Sequence, residues 1–155
     1  MKLKNILIPT GVTTPGMLVR DAFAECVRAQ VPAIPFRNDK GELSGRVSLR
    51  HTMKKTCLPD FMVEMAYVLG DDLSCVRNAE EKAMEVLGYT IDEFVIPKFY
   101  SLTTDITVIK ALAIMEKHNS SYLFIVDDGV YKGIVTTLAI AQRMVALDRT
   151  CASSK

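Results

Sequence analysis

The sequence is short of the residues that most catalytic and metal chemistry relies on. Two histidines stand in 155 positions, and the four cysteines, Cys26, Cys57, Cys75 and Cys151, are scattered without a C-x-x-C pair. The ligand spacing of a structural zinc site is missing, so no metal is expected, and reduced, mostly buried thiols are the plain reading. Charge of one sign is also missing, with 19 Lys and Arg against 18 Asp and Glu and a formal net charge of +1. Such a balance carries no field able to neutralise a run of phosphates, which sets nucleic-acid binding aside. No apolar run approaches the roughly 20 positions that a bilayer requires. The opening MKLKNILIPTG ends its short apolar run at Pro9, without a cleavage site, and is expected to be a first strand and not a signal peptide. A soluble, cytoplasmic protein without membrane or nucleic-acid partners is expected.

What is present is ordinary globular material, 49% hydrophobic and 24% charged, enough for one compact domain or two small similar halves. Order is expected throughout, apart from the Ser-Ser-Lys end. The organising feature is an internal repeat. Pro9 of ILIP matches Pro97 of VIPK at an offset of 88, Ala22 and Phe23 match Ala111 and Leu112 at 89, and Gly45 and Val47 match Gly133 and Val135 at 88. Each copy reads as an extended segment, an amphipathic helix, a hairpin and a second helix. In the first copy Val19, Ala22, Phe23, Cys26 and Val27 recur at helical spacing, and Val108, Ala111, Leu112 and Met115 do so in the second; these are the predicted core. Thr13-Thr14 and Thr103-Thr104 precede the helices and could cap them. The hairpin turns are Asn38-Asp39-Lys40-Gly41 and the shorter Asp127-Asp128-Gly129, where Asp-Gly tolerates positive φ.

About forty residues separate His51 from Glu93, and they read as structured. Pro59 suits the first turn of a helix FMVEMAYVL closed by Gly70, Asn78 with Glu81 forms a capping box for a helix ending at Gly88, and Thr90 with Glu93 repeats that box. Phe61, Met62, Met65, Ala66 and Leu69 form one apolar stripe, which either packs on the rest of the chain or meets a partner.

A β-α-β-β-α unit, duplicated, with a glycine before the hydroxyl that ends the last strand, resembles the cystathionine beta-synthase (CBS) domain, and two in tandem resemble the pair called a Bateman module. The likeness is strongest in SSYLFIVDDGVYKGIVTT; in the first copy RVS stands for IVT and Pro35 lies in the strand. The resemblance implies an α+β fold of two pseudo-two-fold-related repeats, residues 5–52 and 93–147, flanking a helical connector, 53–92, with a tail at 148–155. It further implies a non-catalytic regulatory module that binds an adenosine-containing ligand, AMP, ADP, ATP or S-adenosylmethionine, in the cleft between the repeats.

The resemblance places Ser48 and Thr136 at the ribose or phosphate. A hydroxyl at a strand end that opens a helix suits that task, and equally suits an N-cap. Three residues on, where the family carries a ribose-binding aspartate, this chain has His51 and Ala139, and Pro32-Ala33 and Ser121-Tyr122 replace the family's basic pair. Arg46, Arg50 and His51 cluster around Ser48 and could pair with a phosphate, or could be a solvated basic helix start. Tyr122, with Phe99 and Tyr100, could stack on a base or serve as core. Thr13 and Thr103 complete the candidate ligand set.

The alternative to a sensor is a ligand-free scaffold, favoured by the loss of both aspartates. An enzyme ranks third, because Ser48 and His51 are neighbours but no orienting third group follows. A homodimer is expected from the helix beginning at Thr137, with Leu138, Ala141 and Val145 packed on their own sheet and Ile140, Met144 and Leu147 meeting a second subunit, and a regulated protein partner is conceivable.

Overall fold

The computed structural model describes residues 1–68 and 79–153. They form an α+β structure of two compact units, Gly11–Phe99 and Met1–Thr10 with Tyr100–Lys155. The boundaries differ from those the repeat suggests. Residues 5–10 belong with the second repeat and not with the first, and residues 93–99 belong with the first.

In the unit Gly11–Phe99, helix α1 (Val19–Ala29) buries Val19, Ala22 and Cys26. Val27, predicted to be core, is 62% exposed; at about 100° per residue it lies roughly 80° round the helix from Val19, off the centre of the stripe. Strands β1 (Ala33–Arg37) and β2 (Leu43–Ser48) form an antiparallel hairpin with Ala33 facing Ser48. Its turn is held by Asn38, whose Oδ1 accepts from the amides of Lys40 and Glu42 at 3.0 Å each. Thr13 does not cap α1, which starts after Leu18 without a side-chain cap. Its hydroxyl and amide both donate to the Pro35 carbonyl, at 2.9 and 2.8 Å, so a fully buried threonine fixes residues 11–18 to the hairpin.

Helix α2 (Leu49–Cys57) follows β2 directly, and two further helices, α3 (Asp60–Glu64) and α4 (Ala79–Leu87), belong to the connector. The predicted helix over 61–69 is only α3, with Pro59 at its N-cap. Met62 is buried, but Phe61 and Met65 are half exposed, so among the described residues the stripe packs through Met62; Leu69, Gly70, Cys75 and Asn78 lie outside the described residues. Thr90 precedes a 3-10 turn, Ile91–Phe94, without capping it through its side chain. That turn anchors by burying Ile91 and Phe94 instead. Among the cysteines, Cys26 is buried, while Cys57 and Cys151 are exposed and not buried as expected.

In the other unit, the opening residues form a 3-10 turn, Leu3–Asn5, and not a strand. Strand β3 (Ser101–Leu102) runs parallel to β4 (Tyr122–Asp127), which pairs antiparallel with β5 (Val130–Thr136). Asp128 and Gly129 both take positive φ, 50° and 76°, the tight turn that Asp-Gly predicts. Helix α5 (Val108–Lys117) is capped by Thr107, which accepts from the Lys110 amide at 3.2 Å, and not by Thr103 or Thr104. Leu3, Ile6, Ala111, Met115, Leu123, Ile125 and Val135 form the core with Ile140 of α6 (Thr137–Ala152). Helix α6 runs on through residues expected to be tail. Its faces differ from those expected: Ile140 is buried, Leu138 and Val145, expected on the sheet, are 58% and 54% exposed, and Met144 and Leu147 are exposed. Only its first turn meets the sheet, and every residue from 141 to 153 is exposed.

The two glycines of the repeat mark the same event in each unit. The residue before Pro9 pairs with β5, Ile8 and Ile134 exchanging backbone hydrogen bonds of 2.9 Å. The residue before Pro97 pairs with β2, Ile96 accepting from Arg46 at 3.1 Å and donating to it at 2.8 Å. A Cβ on Gly133 would sit 2.5 Å from the Ile8 carbonyl oxygen, and one on Gly45 would sit 2.5 Å from that of Ile96. Only glycine lets the backbones meet at that distance, and Gly133 adds a φ of 148°. Gly45→Ala and Gly133→Ala are each expected to cost about 2 kcal/mol or more, read as a lower urea midpoint; wild-type midpoints for both would show that the segments yield freely.

Candidate functional site

The β2–α2 junction gathers most of the polar candidates. Ser48 ends β2, and its Oγ accepts from the His51 amide at 3.3 Å, making it the N-cap of α2. The serine thus meets the histidine through the backbone, a capping contact and not a nucleophile–base pair. Because the cap uses the oxygen as acceptor, the hydroxyl hydrogen still serves as a donor. Arg50 is exposed on the first turn, and His51 is half-buried. Burial holds the His51 pKa below its ordinary value, helped by the positive charges of Lys55, Lys54 and Arg46. The junction is therefore electropositive, and a neutral imidazole stands in it. Arg46 is partly committed elsewhere, donating from Nη1 to the Lys98 carbonyl at 2.6 Å, so it clamps residues 96–98 to β2.

The β5–α6 junction repeats the cap without the charge. Thr136 Oγ1 accepts from the Ala139 amide at 3.0 Å and is buried. Tyr122 faces Thr136 across the hairpin, and its ring meets Phe124 edge-on at 5.6 Å. Thr103 is not part of this group. It is exposed, pairs with its neighbour Asp105, and follows β3, whose Leu102 faces Ile125. Thr13 likewise pairs with Phe36, three residues along β1 from the partner of Ser48, roughly 10 Å away. Tyr100 stacks on His118, centroids 3.9 Å apart.

Three carboxylates act on loops and were not legible from the sequence, because the amides they bind lie far away in sequence. Asp92 accepts from the Gly16 amide with both oxygens, at 3.2 and 3.1 Å. Asp127 accepts from the amide and hydroxyl of Thr104, at 2.9 and 2.7 Å, which holds its carboxyl below the usual range. Glu25 accepts from Arg28 and from the Gly11 amide, the latter at 2.9 Å, and these bonds bring its pKa down to about 2. Among the described residues, no group of three His, Cys, Asp or Glu side chains could hold a metal ion, and no helix is long and apolar enough to cross a membrane.

A duplicated hairpin, each copy running into a hydroxyl-capped helix and each crossed by an extended segment at a glycine, defines the class of fold. The CBS domain family model matches residues 91–146. Solved structures share the fold over the whole chain. A putative acetoin utilization protein (AcuB) from Vibrio cholerae is 15% identical, with a TM-score of 0.66 over 100% of this chain and 98% of that one. A CBS domain-containing protein of unknown function from Bacillus anthracis is 17% identical, with a TM-score of 0.61 over 94% of each chain. CBSX2, solved in complex with AMP, is 18% identical, with a TM-score of 0.61 over 94% of this chain and 97% of that one. A search of the curated proteins gives no match. The fold is that of a tandem CBS pair, the Bateman module.

Glu25 makes a pH-dependent contribution whose sign follows from its lowered pKa. The carboxylate stabilises the fold above its ordinary value near 4.5 and ceases to do so as pH falls toward about 2. Glu25→Gln, which keeps an acceptor for Gly11 but loses the charge, is expected to lower stability at pH 7 by roughly 1 kcal/mol. Urea curves of variant and wild type should converge between these pH values; parallel curves would show that the charge contributes nothing.

Proposed function

We propose that this chain is a regulatory CBS module that binds an adenine nucleotide at the β2–α2 junction. The observation that supports this reading is the grouping of Ser48, Arg50 and His51 beside Arg46 in an electropositive junction. A phosphate there would take a hydrogen bond from the Ser48 hydroxyl and a charge-assisted pair from Arg50, whose guanidinium is exposed and mobile enough to close on it. His51 can accept one ribose hydroxyl through a neutral nitrogen, which a depressed pKa keeps available. One acceptor in place of a carboxylate's two weakens ribose recognition, so a monophosphate held mainly through its charge suits the junction better than a longer polyphosphate. The AMP complex of the similarly folded CBSX2 agrees with that ligand class. The β5–α6 junction has alanine at the matching position and no basic residue beside Thr136, and is the weaker of the two. Nothing in the described junctions sets up acid–base or nucleophilic chemistry, which fits a module that responds to occupancy.

AMP, ADP, ATP, adenosine and S-adenosylmethionine at about a hundred times their dissociation constant would each stabilise by roughly 2.7 kcal/mol, several degrees of melting temperature at this size. AMP is expected to give such a shift; no shift above one degree with any of the five would sink the nucleotide reading. Affinities by calorimetry should fall about tenfold for Arg50→Ala and Ser48→Ala, and little for Thr136→Ala. Calorimetry is needed because loss of either cap costs about 1 kcal/mol of stability by itself.

A second reading, that the chain acts through assembly, is favoured by α6. Leu138, Ala141 and Val145 fall at i, i+3 and i+7 on one exposed face, with Met144 at its edge. A shallow groove of about 540 Å³ runs between Leu138, Ala141, Gln142, Val145, Ala146 and Arg149. A face of this length is apolar enough to bury against a second copy and make a homodimer. Val145→Lys would then place an unpaired charge in the interface while leaving the core untouched. Light scattering should show a dimer for wild type and a monomer for Val145→Lys, and a wild-type monomer would remove this reading.

A further inference from the structure

A cleft of about 470 Å³ in the unit Gly11–Phe99 is lined by Lys55 and Thr56 of α2, Lys82 of α4, Tyr89 and Thr90 before the 3-10 turn, and Glu93 and Phe94 within it. We propose that this cleft is a binding site for a small organic monocarboxylate, separate from the nucleotide site at the β2–α2 junction. Its volume lies within the range of small-molecule sites. Its walls come from α2, α4 and the 3-10 turn; it shares α2 with the nucleotide junction, but none of the side chains proposed to touch the nucleotide line it.

The two ammonium groups approach from different helices. Lys55 gives one of its three N–H bonds to the Glu93 carbonyl, at 3.1 Å, which places the group and leaves two donors. Lys82 heads a polar row on α4 and beyond, with Glu85 three residues on and Tyr89 seven on, where a packed helix would carry apolar residues. Glu85 binds the Tyr89 hydroxyl and lies 3.8 Å from Lys82 Nζ, so one carboxylate orients both a cation and an aromatic ring of the wall. Phe94 is 6% exposed at the base, and its ring lies 6.4 Å from that of Tyr89 at 31°. The hydroxyl of Thr90 makes no capping bond.

Charge selects the ligand. Two lysines and Glu93 line the cleft, and Glu85 stands 3.8 Å from Lys82, so these side chains carry no net positive charge; the spare donors of Lys55 can hold a single carboxylate, while a phosphate dianion or a polyphosphate would be left uncompensated. The aromatic base gives the rest of such a molecule an apolar surface.

Histidine reports on the site. His51 lies one turn before Lys55 on α2, and Lys55 is one of the charges that lower its pKa. An anion on Lys55 offsets that charge and raises the His51 pKa, while His118, the other histidine, lies in the other unit and provides an internal control.

The test is an NMR titration of the full chain with benzoate, inorganic phosphate and AMP in separate arms. Benzoate is expected to shift resonances of Lys82, Tyr89 and Phe94 saturably and to raise the His51 pKa without moving that of His118. Lys82→Gln should weaken benzoate at least fivefold and leave AMP affinity unchanged. Phosphate binding tighter than benzoate, or benzoate binding unaltered in Lys82→Gln, would overturn the proposal. An AMP response with no benzoate response would end it and leave the nucleotide reading standing; a benzoate response without AMP would do the reverse.

Discussion

At Gly45 and Gly133 two backbones pass closer than a side chain would allow, and the architecture depends on these contacts. At each, an extended segment passes so near a hairpin strand that a single carbon on the glycine would collide with a carbonyl oxygen. Beside each glycine the contact adds two backbone hydrogen bonds, between Ile96 and Arg46 or between Ile8 and Ile134, satisfying groups that burial would otherwise leave costly. It also sorts the chain into units. Because the segment before each proline joins the hairpin of the other repeat, neither repeat is self-contained, and the compact units cut across the sequence repeat.

From those hairpins the junctions follow. A strand that ends in a hydroxyl and turns straight into a helix presents free amides, and Ser48 and Thr136 satisfy one each. The same geometry that caps the helix holds a donor beside the next residues along. What differs is the surroundings. The first junction collects Arg46, Arg50, His51, Lys54 and Lys55, and the second has only neutral neighbours at its threonine, so one fold carries two sites of unequal chemistry. Loops elsewhere are tied by carboxylates, Glu25 to Gly11, Asp92 to Gly16 and Asp127 to Thr104, each taking an amide that no regular element satisfies.

The connector and α6 show where an amphipathic pattern stops being decisive. Periodicity in α6 identified an apolar arc but could not say which part of it meets the sheet. Geometry set that: only one turn of the helix reaches the core, so Ile140 goes in and Leu138 comes out. In the connector, Met62 alone of the described stripe is buried, because α3 is one short turn and cannot present a whole face.

The sequence by itself determined the local elements and the duplication. The hairpins, the Asp-Gly turn, most of the buried positions of α1 and α5, and the hydroxyls that cap α2 and α6 are all short-range consequences of residue type and spacing, and the CBS resemblance rested on them. The tertiary structure alone decided which segment crosses which hairpin, why the repeat needs its two glycines, what Thr13 and the three loop-binding carboxylates hold, and that Lys55 and Lys82 share a cleft. Each of these joins residues 14 or more positions apart through hydrogen bonding or close packing, and no local propensity records a partner at that distance.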